Sequence, residues 1–220
     1  MPTPTAPAPP PATVPLPPAP AQAERLVALG VHEIAGLTST ELRATAALLA
    51  PGALLVVHPD RAPASALAPL LELEGRPGFV VADMTDVDAF APIESVHLPD
   101  AAVYAVSGVG RGDEMLNRSP DEALPAITGA GRTPLTLPEG IHWLLQCPDV
   151  LERNVCFMTI GSRLRKPNGR LDSRTPALWI SNGTGRDGRE RRGAPKVGWC
   201  WAGNRHTWLG FASGQRRAAV

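Results

Sequence analysis

Apolar positions follow a helical period early in this chain and a strand period late in it. In AERLVALG (residues 23–30), Leu26, Val27 and Leu29 sit as one face of a short amphipathic helix would. Thr38-Ser39-Thr40-Glu41 then has the form of a capping box ahead of LRATAALLA. There a hydroxyl and a carboxylate three residues apart satisfy each other's free backbone N–H groups. A third helix is expected over Ser65–Leu73. Gly78–Ala82 and Ala102–Val109, rich in Val and aromatics, are predicted strands. Two further helices are expected to start at Ser119-Pro120-Asp121-Glu122 and Thr136-Leu137-Pro138-Glu139, both with capping residues and an early proline. Four β-like runs close the chain: Asn154–Ile160, Ala177–Ser181, Lys196–Ala202 and Thr207–Ser213. The order predicts an α+β fold, with N-terminal helices followed by a mostly antiparallel sheet on which helices pack.

Composition sets the domain plan. The chain has 220 residues with 44% hydrophobic content, enough for one core. Ten of its 25 prolines fall within residues 1–20, which are expected to form an extended, disordered tail ahead of a single domain over 21–220. A passive tail is preferred to a ligand for SH3-like modules. The formal net charge is zero, yet residues 21–158 carry 18 acidic and 8 basic side chains, and residues 159–220 carry 3 and 13. Much of that basic excess lies in two Gly/Arg-rich intervals, 162–175 and 182–194, expected as exposed loops. They lack interleaved aromatics for base stacking, so a solvated surface is preferred to a nucleic-acid interface. LVALGVHEIAGLTSTEL is likewise read as two helices packed around a Gly30 turn, not as a DNA-binding hairpin.

Cys147, Cys156 and Cys200 are odd in number and widely spaced, as expected of reduced thiols in a cytoplasmic protein. No apolar run approaches the roughly 18 residues of a membrane span, and prolines interrupt any signal-peptide core. Without a C-x-x-C or H-x-x-x-H pair no metal is expected, and without a P-loop or dinucleotide fingerprint no cofactor is implied.

The candidate chemistry gathers in two places. Pairing Lys196–Ala202 with Thr207–Ser213 across Asn204-Arg205 would set Trp199, Trp201, His206 and Trp208 on one face, with Cys200 on the other. That alternation disfavours a Cys–His dyad and leaves either a buried core hairpin or a stacking platform for a ring or cation. The turn Gly110-Arg111-Gly112-Asp113-Glu114 follows a predicted strand end. Arg111, Asp113 and Glu114 there could orient a polar ligand, or simply form a local ion pair. The preferred reading is a binding domain for a small molecule or peptide, lined by the Trp-rich hairpin and this turn. The alternatives are an enzyme pairing Asp113 or Glu114 with His206, and an acidic-partner or nucleic-acid module using the Arg-rich loops.

Several runs carry a resemblance: FAPIESVHLPDAAVYAV, GRGDEML, SPDEALPAI, GRTPLTLPEG, ERNVCFMTIGSR, PALWIS and, most specifically, PKVGWCWAGNRHTWLG. On these the chain resembles the actinobacterial family called domain of unknown function 5701 from about residue 21 onward. Arg205 stands where similar proteins tend to have Pro, Arg118 where they often have Trp, and both basic loops look like insertions. The resemblance implies relatedness and no mechanism.

Overall fold

The computed structural model describes residues 15–220, so most of the proline-rich tail lies outside the described residues. Helix α1 (Ala19–Ala28) already includes Ala19 and Pro20, two residues assigned above to the tail. Proline is tolerated in a first turn, whose N–H groups have no intrahelical partner. The chain turns at Gly30 (φ 72°) into α2 (Val31–Ile34) and α3 (Ser39–Ala46), and the expected Thr38–Glu41 capping box is formed.

Strand β1 (Ala53–Val57) escaped the periodicity reading because all five of its residues are buried, which erases alternation. Its open edge is covered by the buried side chain of Gln22 on α1. Nε2 of Gln22 donates to Ala53 O at 2.9 Å and Oε1 accepts from Leu55 N at 2.8 Å. The helix expected to Leu73 is cut to α4 (Ala64–Leu67) and one 3₁₀ turn over Ala68–Leu70. Pro69 removes the N–H that would continue it. The chain then pairs β2 (Glu72–Leu73) with β3 (Arg76–Pro77) and runs through β4 (Phe79–Val80), β5 (Phe90–Pro92) and β6 (Val103–Ser107). Helix α5 (Pro120–Gly129), β7 (Thr133–Pro134) and α6 (Leu137–Gln146) follow, both helices with their capping boxes. The last third supplies β8 (Cys156–Met158), β9 (Ser162–Leu164), β10 (Arg174–Ile180), β11 (Pro195–Trp201), β12 (Leu209–Phe211), β13 (Ser213–Gly214) and β14 (Arg216–Ala219).

The α+β class and the mostly antiparallel pairing hold, but the strands divide among several sheets. One sheet has the order β1-β6-β14 and is antiparallel throughout. A second has the order β12-β8-β10-β11-β4, with its outer pairs β12–β8 and β11–β4 parallel. The pairs β13–β7, β2–β3 and β5–β9 complete the described strands.

Helix α6 is buried along all ten residues and touches both larger sheets. Toward the first, His142 Nε2 accepts from Val57 N at 3.2 Å, and its Nδ1 lies 2.8 Å from Pro138 O. Burial pulls the His142 pKa down to about 4, so the ring is neutral at pH 7. Glu139, fully buried, accepts from Tyr104 Oη (3.0 Å), Thr136 N (2.7 Å), and Arg217 Nε and Nη2 (2.6 and 2.7 Å). That network ties the helix to β6 and β14. Toward the second sheet, a Cβ at Gly140 would fall 2.5 Å from Thr159 Cγ2 and 2.8 Å from Leu178 Cδ1, so this glycine sets how closely α6 approaches β10. Among the described residues, no helix is long and apolar enough to cross a membrane.

Candidate functional site

The expected hairpin does not form. Strand β11 pairs along its whole length with β10, from Arg174↔Trp201 to Ile180↔Pro195, and gives its other edge to β4. Strand β12 pairs instead with β8, so two strands separate it from β11, and residues 202–208 carry the chain back across them. That crossing is fixed by contacts distant in sequence. Asn117 N donates to His206 O (2.8 Å), Asp121 N to Ala202 O (3.3 Å), and Ala202 N to Ser173 O (2.7 Å), and Arg205 pairs with Glu122.

The four-residue aromatic face is divided in consequence. Trp199 and Trp201, alternate residues of β11, lie edge to face with centroids 4.5 Å apart, and Trp201 remains 47% exposed. Trp208 lies outside any strand. It packs against His206 at 5.2 Å and against Trp179 of β10 at 6.4 Å. Trp179 was not among the sequence candidates. Its signal was present in PALWIS, where it alternates with the buried Leu178, but a lone Trp in a predicted strand reads as core.

Trp179 sits between two adjoining cavities. One, of about 360 Å³, is lined by Arg153, Asn154, Cys156, Trp179, Ile180, Asn182, Cys200 and Trp208. The other, of about 380 Å³, is lined by Val81, Asp83, Trp179, Asn182, Thr184, Arg186, Asp187, Lys196 and Trp199. Trp179 and Asn182 belong to both, so the two form one cleft along β10 and β11. The indole is held in place. Lys196 Nζ lies 4.6 Å from its ring centroid and pairs with the buried Asp187 at 2.6 Å, while Ser181 Oγ donates to the same Asp187 oxygen at 2.7 Å. A Cβ at Gly198 would meet Trp179 Cη2 at 2.5 Å, so the glycine leaves room for the ring to lie flat.

The thiols in this cleft are poor nucleophiles. Burial pushes both Cys156 and Cys200 up to about 11, leaving almost no thiolate at pH 7. Desolvation lowers the His206 imidazole and is its only cause of shift, so no carboxylate acts on it. Its Nε2 is buried without a partner.

The Arg111 turn adjoins β12 but does not line the cleft. Arg111 holds Asp113 by two bonds, Nε to Oδ1 at 2.8 Å and Nη2 to Oδ2 at 2.7 Å, and also reaches Val150 O at 2.7 Å and Glu152 at 3.2 Å. A local ion pair therefore occupies the Asp113 carboxylate, and Glu114 is exposed. The glycines of the motif have a packing reason. A Cβ at Gly112 (φ 76°) would lie 2.2 Å from Phe211 O, and one at Gly210 would lie 2.5 Å from Arg111 O. Among the described residues no hydrogen bond joins His206 to Asp113 or Glu114, and neither Arg111, Asp113 nor Glu114 lines the two cavities.

The basic intervals are more structured than expected. In 162–175, β9 pairs with β5, Arg165 bridges Leu171 antiparallel across a tight turn, and β10 begins at Arg174. Arg174 pairs with Asp86 at 2.6 Å and with Asp172 at 3.3 Å, and Lys166 lies 3.7 Å from Asp172. In 182–194, two 3₁₀ turns connect β10 to β11. Arg186 pairs with Asp83 at 2.9 Å there, and Arg191 lies 4.4 Å from the Phe79 ring centroid. Such internal pairing leaves fewer free cations for phosphates.

A separate cavity of about 120 Å³ opens at the N-terminus of α6, lined in part by Pro63, Asp88, Phe90 and Ser162. Its polar groups are already used: Asp88 caps α4 through Ser65 N (2.8 Å), and Ser162 Oγ accepts from Leu137 N (2.9 Å). Among the described residues, no group of three or more His, Cys, Asp or Glu stands ready to hold a metal ion. All three cysteines are free thiols.

No curated protein and no solved structure matches this chain. The model of a family of unknown function (DUF5701) matches residues 25–220, nearly everything beyond the proline-rich tail, and the chain therefore belongs to that family.

Proposed function

We propose that this protein is a binding domain whose Trp179 cleft takes a small molecule or a peptide. The observation that carries the reading is the sharing of Trp179 and Asn182 between two cavities of about 360 and 380 Å³. Together they have the scale of a ligand pocket, with indole surface set among polar and charged side chains. Two indoles, those of Trp179 and Trp208, supply flat apolar surface, and the exposed amides of Asn154 and Asn182 supply donors and acceptors. Of the three lining cations, Lys196 pairs with Asp187 and Arg186 with Asp83, so most of the cleft's charge is neutralised internally. The three free thiols fit a reducing compartment, and we place the protein in the cytoplasm on that ground.

The test is native mass spectrometry of the purified chain, followed by titration of any co-purified compound against tryptophan fluorescence. The expected outcome is a bound species that changes the emission of the wild-type chain and is lost on Trp179→Ala. A ligand that binds Trp179→Ala as tightly as wild type refutes the assignment to this cleft.

A further inference from the structure

We propose that a second cavity, beside the β5–β9 pair, binds a small zwitterion: an α-amino acid or dipeptide with an apolar side chain. The site goes beyond the Trp179 cleft and does not depend on it, because the two share no lining residue.

Backbone pairing builds the place. Pro92 of β5 lies opposite Ser162 of β9, and Ile93 N donates to Gly161 O at 2.9 Å. The chain just past β5 therefore runs beside the residues that lead into β9. With the first turns of α5, these segments border a cavity of about 480 Å³, within the roughly 300–1,000 Å³ of small-molecule sites. Ile93, Ile160 and Leu124 supply an apolar wall, and Leu171, 41% exposed, joins them.

Arg163 marks what the cavity lacks. Alternation along β9 turns it away from Leu164, which packs on the core. Its Nη2 donates to Asp172 O, but Nε is buried with no partner. Among the described residues Nη1 makes no hydrogen bond and no carboxylate pairs with the guanidinium. Half-buried Arg111, Arg174 and Arg217 differ, each meeting a carboxylate oxygen at 2.6–2.7 Å. Arg132 holds Ser213 and Gly108 by three bonds. Burial lowers the Arg163 pKa, opposed by the charges of Asp121 and Asp172, and a guanidinium keeps its proton even so. A half-buried cation without a counter-ion is unfavourable until an anion reaches it.

The charge around Arg163 has both signs. Arg165 holds Gly169 O of its own turn at 2.8 Å and pairs with no carboxylate among the described residues. Glu94 and Asp121, both exposed, likewise have no ion pair and no side-chain hydrogen bond among the described residues. A simple anion would be repelled by both carboxylates. A zwitterion is not: its carboxylate goes to Arg163, its ammonium to Glu94 or Asp121, and its side chain to the apolar wall.

The test is calorimetric titration of leucine and of the dipeptide Leu-Leu into the full-length chain. Saturable binding of at least one is expected, and it should weaken about tenfold or more when the carboxylate is amidated or the amine acetylated. Arg163→Gln should weaken it by a similar factor. Because Arg163 also holds Asp172 O, Glu94→Gln/Asp121→Asn serves as a second variant that removes no side-chain bond seen in the fold. It should weaken the zwitterion yet bind the acetylated form as wild type does. No saturable binding of either compound, or equal affinity for the blocked forms, overturns the proposal and leaves the cleft reading untouched. Binding lost in Trp179→Ala but kept in Arg163→Gln assigns the ligand to the cleft and overturns this site alone.

Discussion

Replacing Arg217 by Met leaves the apolar stem but removes both guanidinium bonds to Glu139. The side chains of the two partners are 6% and 0% exposed, so no water takes the place of the lost donors. The carboxylate keeps Tyr104 Oη and Thr136 N, both neutral, and loses its only charge-assisted partners. Thr133 Oγ1 and Pro134 O also lose donors, at 2.6 and 2.8 Å in the wild-type chain. Removing one partner of a buried pair costs about 3–5 kcal/mol, a large part of the roughly 5–15 kcal/mol that holds a domain together. With a urea slope near 2 kcal/mol/M, the midpoint should fall by about 2 M. The double variant Arg217→Met/Glu139→Leu removes the stranded charge and should recover most of the loss. It stays about 1 kcal/mol below wild type, because Glu139 is also the capping partner of Thr136. The two substitutions should therefore show a coupling of at least about 2 kcal/mol in urea denaturation followed by circular dichroism. A single variant that loses less than about 1 kcal/mol, or a double variant as unstable as the two losses added, refutes this account of the network.

His142 makes stability depend on pH. Its folded pKa of about 4 lies below the ordinary 6.5, so the unfolded chain binds the proton first and stability is lost as pH falls through that window, by about 3 kcal/mol in all. His142→Gln should flatten that part of a stability–pH curve; an unchanged slope would show that other groups set it. Gly198→Ala places a methyl group against the Trp179 ring edge, which can swing away, so the variant should lose no more than about 1–3 kcal/mol while its tryptophan emission and cleft binding change. Emission identical to wild type would mean that the ring does not move. With pKa values near 11, Cys156 and Cys200 should react with a disulfide reagent at pH 8 about a hundredfold more slowly than a free thiol. Rapid labelling of Cys200 would contradict its raised pKa.

Features set by neighbours in sequence were legible in the sequence itself. The three capping boxes at Thr38, Ser119 and Thr136, the turn at Gly30 and the strands β6, β10 and β11 all formed, because caps and alternation involve residues only two to four apart. The α+β class was legible too. The sequence could not say what each strand would choose as its partner. A hairpin between β11 and β12 satisfies local geometry, yet seven residue pairs with β10, and the anchoring of residues 202–208 on the stretch around Asn117–Glu122, satisfy more backbone and apolar groups. The same long-range choice brought Trp179 to the centre of the cleft, spent Asp113 on Arg111, and hid β1 behind uniform burial. Backbone pairing and close packing are decided over the whole chain, and a periodicity confined to one segment carries no record of what will cover it.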